Sequence, residues 1–172
     1  MLKTAIYDID GPVAIRYPRG GEGEYKGLNT HSETVLRSGK DITLVSYGII
    51  TNEAIKAAEL LKQQGIDAEL IKLSVLKPCK FDAALASLSK TGRLVFAEDC
   101  CAAGSMGAKL CAEAALRGIK LNACALLNLG EGVVPHGKPA QLMAEQGIDA
   151  AGIASAAMRL IKGKLTYEEA ET

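Results

Sequence analysis

Two arginines flank a Tyr-Pro pair in Arg16-Tyr17-Pro18-Arg19-Gly20, directly after the apolar run Pro12-Val13-Ala14-Ile15. Proline has no amide hydrogen and a fixed φ, and it pushes Tyr17 toward extended geometry, so the backbone is stiff where a strand should be ending. Such stiffness aims side chains. In extended backbone Ile15, Tyr17 and Arg19 share one face while Ala14 and Arg16 share the other. The two guanidinium groups then point different ways, and one at most addresses a ligand. The alternative is a pair of surface arginines closing a strand.

Three other groups of residues have reactive chemistry. Gly104-Ser105-Met106-Gly107 lies between a strand and a helix, where backbone amides can hold a phosphate, but no G-x-G-x-x-G or Walker ending accompanies it. Close helix-to-strand packing through small residues is the favoured reading. Glu98-Asp99 can serve as a general acid and base or as a solvated strand end; with no nucleophile in triad order nearby, the solvated end is preferred. His136, in Val134-Pro135-His136-Gly137, is read as a loop histidine that caps or packs.

The five cysteines, Cys79, Cys100, Cys101, Cys111 and Cys124, are odd in number and contain no Cys-x-x-Cys. With only two histidines, His31 and His136, this argues against a disulfide framework and a zinc site and for small buried thiols in a reducing compartment.

These residues must be positioned by alternating elements. Asp41 to Gly48 reads as a strand, followed by a helix from Asn52 to Gln64 that Thr51 can cap and Gly65 ends. Ala68 to Leu73 is a strand, Phe81 to Leu88 a helix and Gly92 to Ala97 a strand. The small-residue stretch after Cys100 leads into a helix to about Leu116, and Leu121 to Leu127 is another strand. Two helices follow, Pro139 to Glu145 and Ala151 to Ile161, with Asp149 as an N-cap of the second. The glycine-rich passage from Gly20 to Glu33 is a loop or linker. Alternation of this kind predicts an α/β fold with a mostly parallel sheet, helices on both faces and ligands at the carboxyl ends of strands.

Length and an apolar content of 48% fit one domain of ordinary size with a real core. Lysine plus arginine and aspartate plus glutamate balance at 20 each, without a basic block, which argues against nucleic-acid or anionic-membrane partners. The absence of a signal-peptide layout predicts a cytoplasmic protein.

The segments GPVAIRYPRG, SGKDITLVSYG, LVFAEDCCAAGSMGAKL and VVPHGKPAQLMAEQGIDAAGI, collinear over nearly the whole chain, resemble the C-terminal domain of the 1-deoxy-D-xylulose-5-phosphate synthase family. RYPRG and HG-x(4)-L-x(4)-GIDA-x-GI are the most specific pieces. The sequence departs from the family at Leu129-Gly130-Glu131, where L-P-D is common, and at Ala102-Ala103-Gly104-Ser105, in place of GGAGS.

The resemblance implies a three-layer α/β/α domain with a mostly parallel five-stranded sheet. It divides the chain into residues 1–32, an initial strand and glycine-rich linker ending a preceding domain, and residues 33–172, the transketolase C-terminal-like domain. It implies a homodimeric transferase that joins pyruvate, after decarboxylation, to glyceraldehyde 3-phosphate, in a route to isoprenoids, thiamine and pyridoxal cofactors. Thiamine diphosphate and magnesium are held by two preceding domains absent from this sequence, so the chain is expected to be an inactive fragment that binds neither alone. One site residue carries over: Arg19 binds the substrate phosphate, and its planar fork suits phosphate oxygens. Arg16 is then structural. Alternatives are part of a split transketolase, the β subunit of a 2-oxo acid dehydrogenase, or a non-catalytic interaction module.

Overall fold

The computed structural model describes residues 2–15, 23–27 and 31–163. Its elements are α1 (Leu2–Tyr7), β1 (Glu33–Arg37), β2 (Ile42–Tyr47), α2 (Ile50–Gln63), β3 (Ala68–Leu73), α3 (Asp82–Thr91), β4 (Arg93–Ala97), α4 (Met106–Leu116), β5 (Ala123–Leu127), α5 (Pro139–Glu145) and α6 (Ala150–Ile161). Aliphatic runs such as Ile-Thr-Leu-Val-Ser-Tyr and Arg-Leu-Val-Phe-Ala form strands covered on both faces, which is why they read as nearly continuous apolar stretches.

The sheet order is β1-β3-β2-β4-β5. β3, β2, β4 and β5 run parallel, and β1 pairs antiparallel with β3. Alternation of side chains along β2 sends Ile42 and Leu44 into one core with α2 and α6, and Val45 into a second core with α3 and α4. The result is the expected three-layer α/β/α arrangement around a mostly parallel five-stranded sheet.

The cores differ in texture. α2 and α6 pack together and both contribute alanines to one core, Ala54, Ala57 and Ala58 from the first and Ala154, Ala156 and Ala157 from the second, and Glu53 Oε2 accepts the Ala150 amide at 3.0 Å. The second core is filled by larger groups, among them Phe96, Leu88, Leu94 and Leu110. Asp149 caps α6 as its sequence position suggested, accepting from the Gly152 amide at 2.8 Å. Gly152 is required there, because a Cβ would run into the Gly147 carbonyl.

The structure corrects three local expectations. Pro12 to Ile15 forms no strand; the described N-terminal element is α1, whose Ile6 and Tyr7 are 67% and 75% exposed. Glu33–Arg37, on the border of the passage read as a linker, is the antiparallel edge strand β1. Thr51 does not cap α2: the helix starts one residue earlier, and the buried Thr51 hydroxyl accepts from Ser46 Oγ at 3.4 Å.

Thr43 of β2 is fully buried and its hydroxyl lies 2.7 Å from both Ser87 Oγ and Thr91 Oγ1 of α3. Three hydroxyls thus satisfy one another between sheet and helix. Thr43→Val keeps the shape but withdraws the shared partner, and should lower unfolding free energy by about 1–3 kcal/mol with an unchanged denaturant slope, read by urea titration. An unchanged midpoint would mean that the network contributes nothing.

Candidate functional site

In a sheet of this order the connection after β2 runs toward β3 while the connection after β4 runs toward β5. The carboxyl ends of β2 and β4 therefore bound the crevice where open α/β sheets take their ligands. Tyr47 ends β2, and Glu98 follows β4 immediately.

Glu98 is 1% exposed and its carboxylate fills this crevice. Oε2 accepts from the Met106 amide at 2.9 Å, the Tyr47 hydroxyl at 3.1 Å and the Cys100 thiol at 3.2 Å, while Oε1 accepts from the Gly107 amide at 2.9 Å. Two of these donors are first-turn amides of α4, where the helix dipole favours an anion. Ser105, also buried, caps the same turn by accepting from the Ala108 amide at 3.2 Å. Gly107 permits the approach: a Cβ would stand 2.9 Å from Leu126 Cδ2 and 3.1 Å from both Glu98 Oε1 and Phe96 Cβ. The anion position at the head of α4 is thus occupied by the protein's own side chain.

Burial pushes the Tyr47 phenol far above its ordinary value, with the Cys100 hydrogen bond and the Glu98 charge acting in the same direction. The Cys100 thiol is pushed up to about 11, first by burial; Tyr47 opposes the rise, and the Glu98 bond and charge reinforce it. Both groups keep their protons at neutral pH and act as donors to the carboxylate. The cluster therefore offers no thiolate nucleophile; it ties β2, β4 and α4 together.

Next to the crevice, on the same carboxyl edge, residues 23–27 are fastened to the domain. The Tyr25 amide donates to Asn52 Oδ1 at 2.9 Å in the first turn of α2, and Lys72 Nζ of β3 sits 4.8 Å from the Tyr25 ring centroid. Lys72 is largely buried, and desolvation lowers its ammonium pKa. A depression of about 350 Å³ lined by Lys90, Thr91, Lys120 and Asn122 lies at the opposite edge of the sheet, away from these groups.

Among the residues singled out from sequence, Arg16 and Arg19 lie outside the described residues. Glu98 is a buried anchor and not a solvated strand end, whereas Asp99 is exposed. Of Gly104 to Gly107, Gly107 serves close helix packing and Ser105 caps α4, whereas Gly104 adopts positive φ with no neighbour close to its Cβ position. His136 is exposed and neither caps nor packs, since Lys138 holds the N-cap position of α5. The cysteines are not small buried thiols: Cys101 is exposed and the other four are half-buried. Sequence reasoning missed Tyr47 and Lys72; the signal for Tyr47 was a phenol closing an apolar strand immediately before Gly48.

Glu98→Gln replaces one acceptor oxygen by an amide group facing donors, and should cost about 1.5–3 kcal/mol for each charge-assisted bond lost, measured by urea unfolding. A variant as stable as the parent would remove the anchoring role. A thiol whose folded pKa is raised from 9.0 to about 11 contributes stability that is full below pH 9 and is lost as pH rises toward 11. Melting temperature should accordingly fall between pH 9 and 11, and Cys100→Ser should make that fall shallower.

The chain matches the family model described as "Transketolase, C-terminal domain" over residues 32–153. It is 32% identical over 173 residues to 1-deoxy-D-xylulose-5-phosphate synthase 1 of Geobacter sulfurreducens, covering 95% of this chain and 26% of that protein. It is 33% identical over 172 residues to the synthase of Chlorobaculum tepidum (95% and 27%), and 34% identical over 154 residues to that of Desulforudis audaxviator (86% and 24%). The chain thus spans about a quarter of the length of these relatives. A solved structure titled "Split gene transketolase, inactive beta4 tetramer" superposes with a TM-score of 0.68 at 24% identity, covering 85% of this chain and 46% of the other, and so shares the fold. Extent and fold agree: the chain belongs to the transketolase C-terminal domain family.

Proposed function

We propose that this chain is the C-terminal domain of a 1-deoxy-D-xylulose-5-phosphate synthase, a cytoplasmic thiamine diphosphate enzyme that condenses pyruvate with glyceraldehyde 3-phosphate and supplies isoprenoid and thiamine synthesis. The observation that carries this reading is the similarity to such synthases across 86–95% of the chain. Residues 1–32 end the preceding domain, and residues 33–172 form the C-terminal domain, which contributes dimer contacts and one substrate contact. Taken alone the chain is inactive.

The described residues do not compose a site for the cofactor. The amides of α4 that would suit a diphosphate already hold Glu98, and no group of three or more His, Cys, Asp or Glu side chains is placed to hold a metal ion among the described residues. Thiamine diphosphate supplies carbanion stabilisation to enzymes of this kind, and its ligands belong to the other domains.

Arg19 is the substrate-phosphate residue. Pro18 stiffens the backbone before it, and the guanidinium fork matches phosphate oxygens bidentately. The nearby segment 23–27 is anchored on the carboxyl edge of the sheet, the ligand side of such folds, which supports this role. In the complete enzyme, Arg19→Ala removes contacts worth on the order of 2 kcal/mol and should raise KM for glyceraldehyde 3-phosphate roughly tenfold or more. The KM for pyruvate, which lacks a phosphate, should change little. Arg19→Lys should recover part of the loss, and Arg16→Ala should affect stability more than either constant. A phosphate-specific defect in Arg16→Ala but not in Arg19→Ala would overturn the assignment.

A further inference from the structure

We propose that Cys111 and Cys124 are a redox pair that closes reversibly to an intrachain disulfide between α4 and the edge strand β5. Their sulfurs are 3.5 Å apart, and both residues are half-buried on the margin of the second core. The meeting is built by elements already described. Gly107 lets α4 settle closely on β4 and β5, and Cys111, one turn further on, projects from the same helix face. Cys124 sits opposite Leu94 of β4, whose side chain belongs to the core that α4 covers.

Closing the bond takes the sulfurs from 3.5 Å to the ~2.0 Å of a disulfide. β5 is at the edge of the sheet and is paired with one neighbour, β4, which leaves it room to adjust. A hydrogen bond joins the two sulfurs, and it lowers the pKa of the Cys111 thiol, which makes Cys111 the attacking thiolate. The other cysteines are differently disposed: Cys100 is engaged by Glu98, and the exposed Cys101 thiol donates to the Ala103 carbonyl at 3.4 Å.

The oxidant is a peroxide. The Cys111 thiolate attacks one peroxide oxygen and breaks the O–O bond, giving a sulfenic acid and hydroxide, which takes up a proton to become water. Cys124 sulfur then attacks Cys111 sulfur, the S–S bond forms, and the sulfenic hydroxyl leaves as a second water with the Cys124 proton. Two thiols and one hydrogen peroxide thus become one disulfide and two waters. A dithiol reductant returns two electrons and two protons.

The test is to expose the folded chain to hydrogen peroxide, alkylate free thiols under denaturing conditions and map tryptic peptides by mass spectrometry. Arg117 and Lys120 separate Cys111 and Cys124 into different peptides. The expected result is loss of two alkylatable thiols and one linked pair carrying Cys111 and Cys124, reversed by dithiothreitol. Cys111→Ser and Cys124→Ser should each abolish the linked pair, and Cys100→Ser should leave it intact. Retention of both thiols, conversion of either to sulfinic acid without cross-linking, or a link through Cys100 or Cys101 in its place would overturn the proposal.

Discussion

A carboxylate that is almost wholly removed from water is costly unless it is fully hydrogen-bonded, and Glu98 meets that condition with donors from three elements. β2 supplies a phenol, the β4 exit supplies a thiol, and α4 supplies two backbone amides. Removing any one element would leave a charged group short of partners, so their relative placement is held by a penalty as well as by attraction. The helix dipole adds to this, since the anion sits where the first turn of α4 presents its unpaired amides. Much of the local sequence follows from that arrangement: Gly107 has no side chain because the amide must reach the carboxylate, and Ser105 takes the Ala108 amide of the same turn, which Glu98 does not reach.

This anchor also bears on function. In many sheets of this type the crevice at the topological switch point is left open for a ligand. Here the same geometry is used internally by Glu98, and under the proposed function the domain is a support whose surfaces and flanking segments do the contacting. The tether from Tyr25 to Asn52 and Lys72 fits this division of labour, since it attaches the chain that follows the Arg-Tyr-Pro-Arg stretch to the carboxyl edge of the support. Among the described residues no helix is long and apolar enough to cross a membrane.

The alternation of strands and helices was legible because the buried strands are nearly continuous aliphatic runs and the helices carry clear apolar stripes. β1 was not, because Glu33-Thr34-Val35-Leu36-Arg37 is a polar edge strand without clean alternation, and only its pairing with β3 defines it. Asp149 was readable as a cap from its local position, whereas Thr51 was misread because a buried hydroxyl contact competes with the capping role. Glu98 looked like a solvated strand end because what buries it comes from α4 and β2, which no local window contains. The proximity of Cys111 and Cys124 was hidden for the same reason, since their spacing matches no sequence motif. Arg19 rests on family resemblance and backbone stiffness.

The contrast between the two cores constrains how this domain drifts. The core shared by α2 and α6 is rich in alanines, where added methylenes overpack a close-packed interior. On the other face Phe96, Leu88, Leu94 and Leu110 fill the space between sheet and helices, and substitutions that shrink them leave cavities. The alanines of one layer are thus sensitive to growth, and the large groups of the other to loss. A neutral walk through sequence space is asymmetric across a single sheet, with the small residues of one layer held fixed as firmly as the large residues of the other.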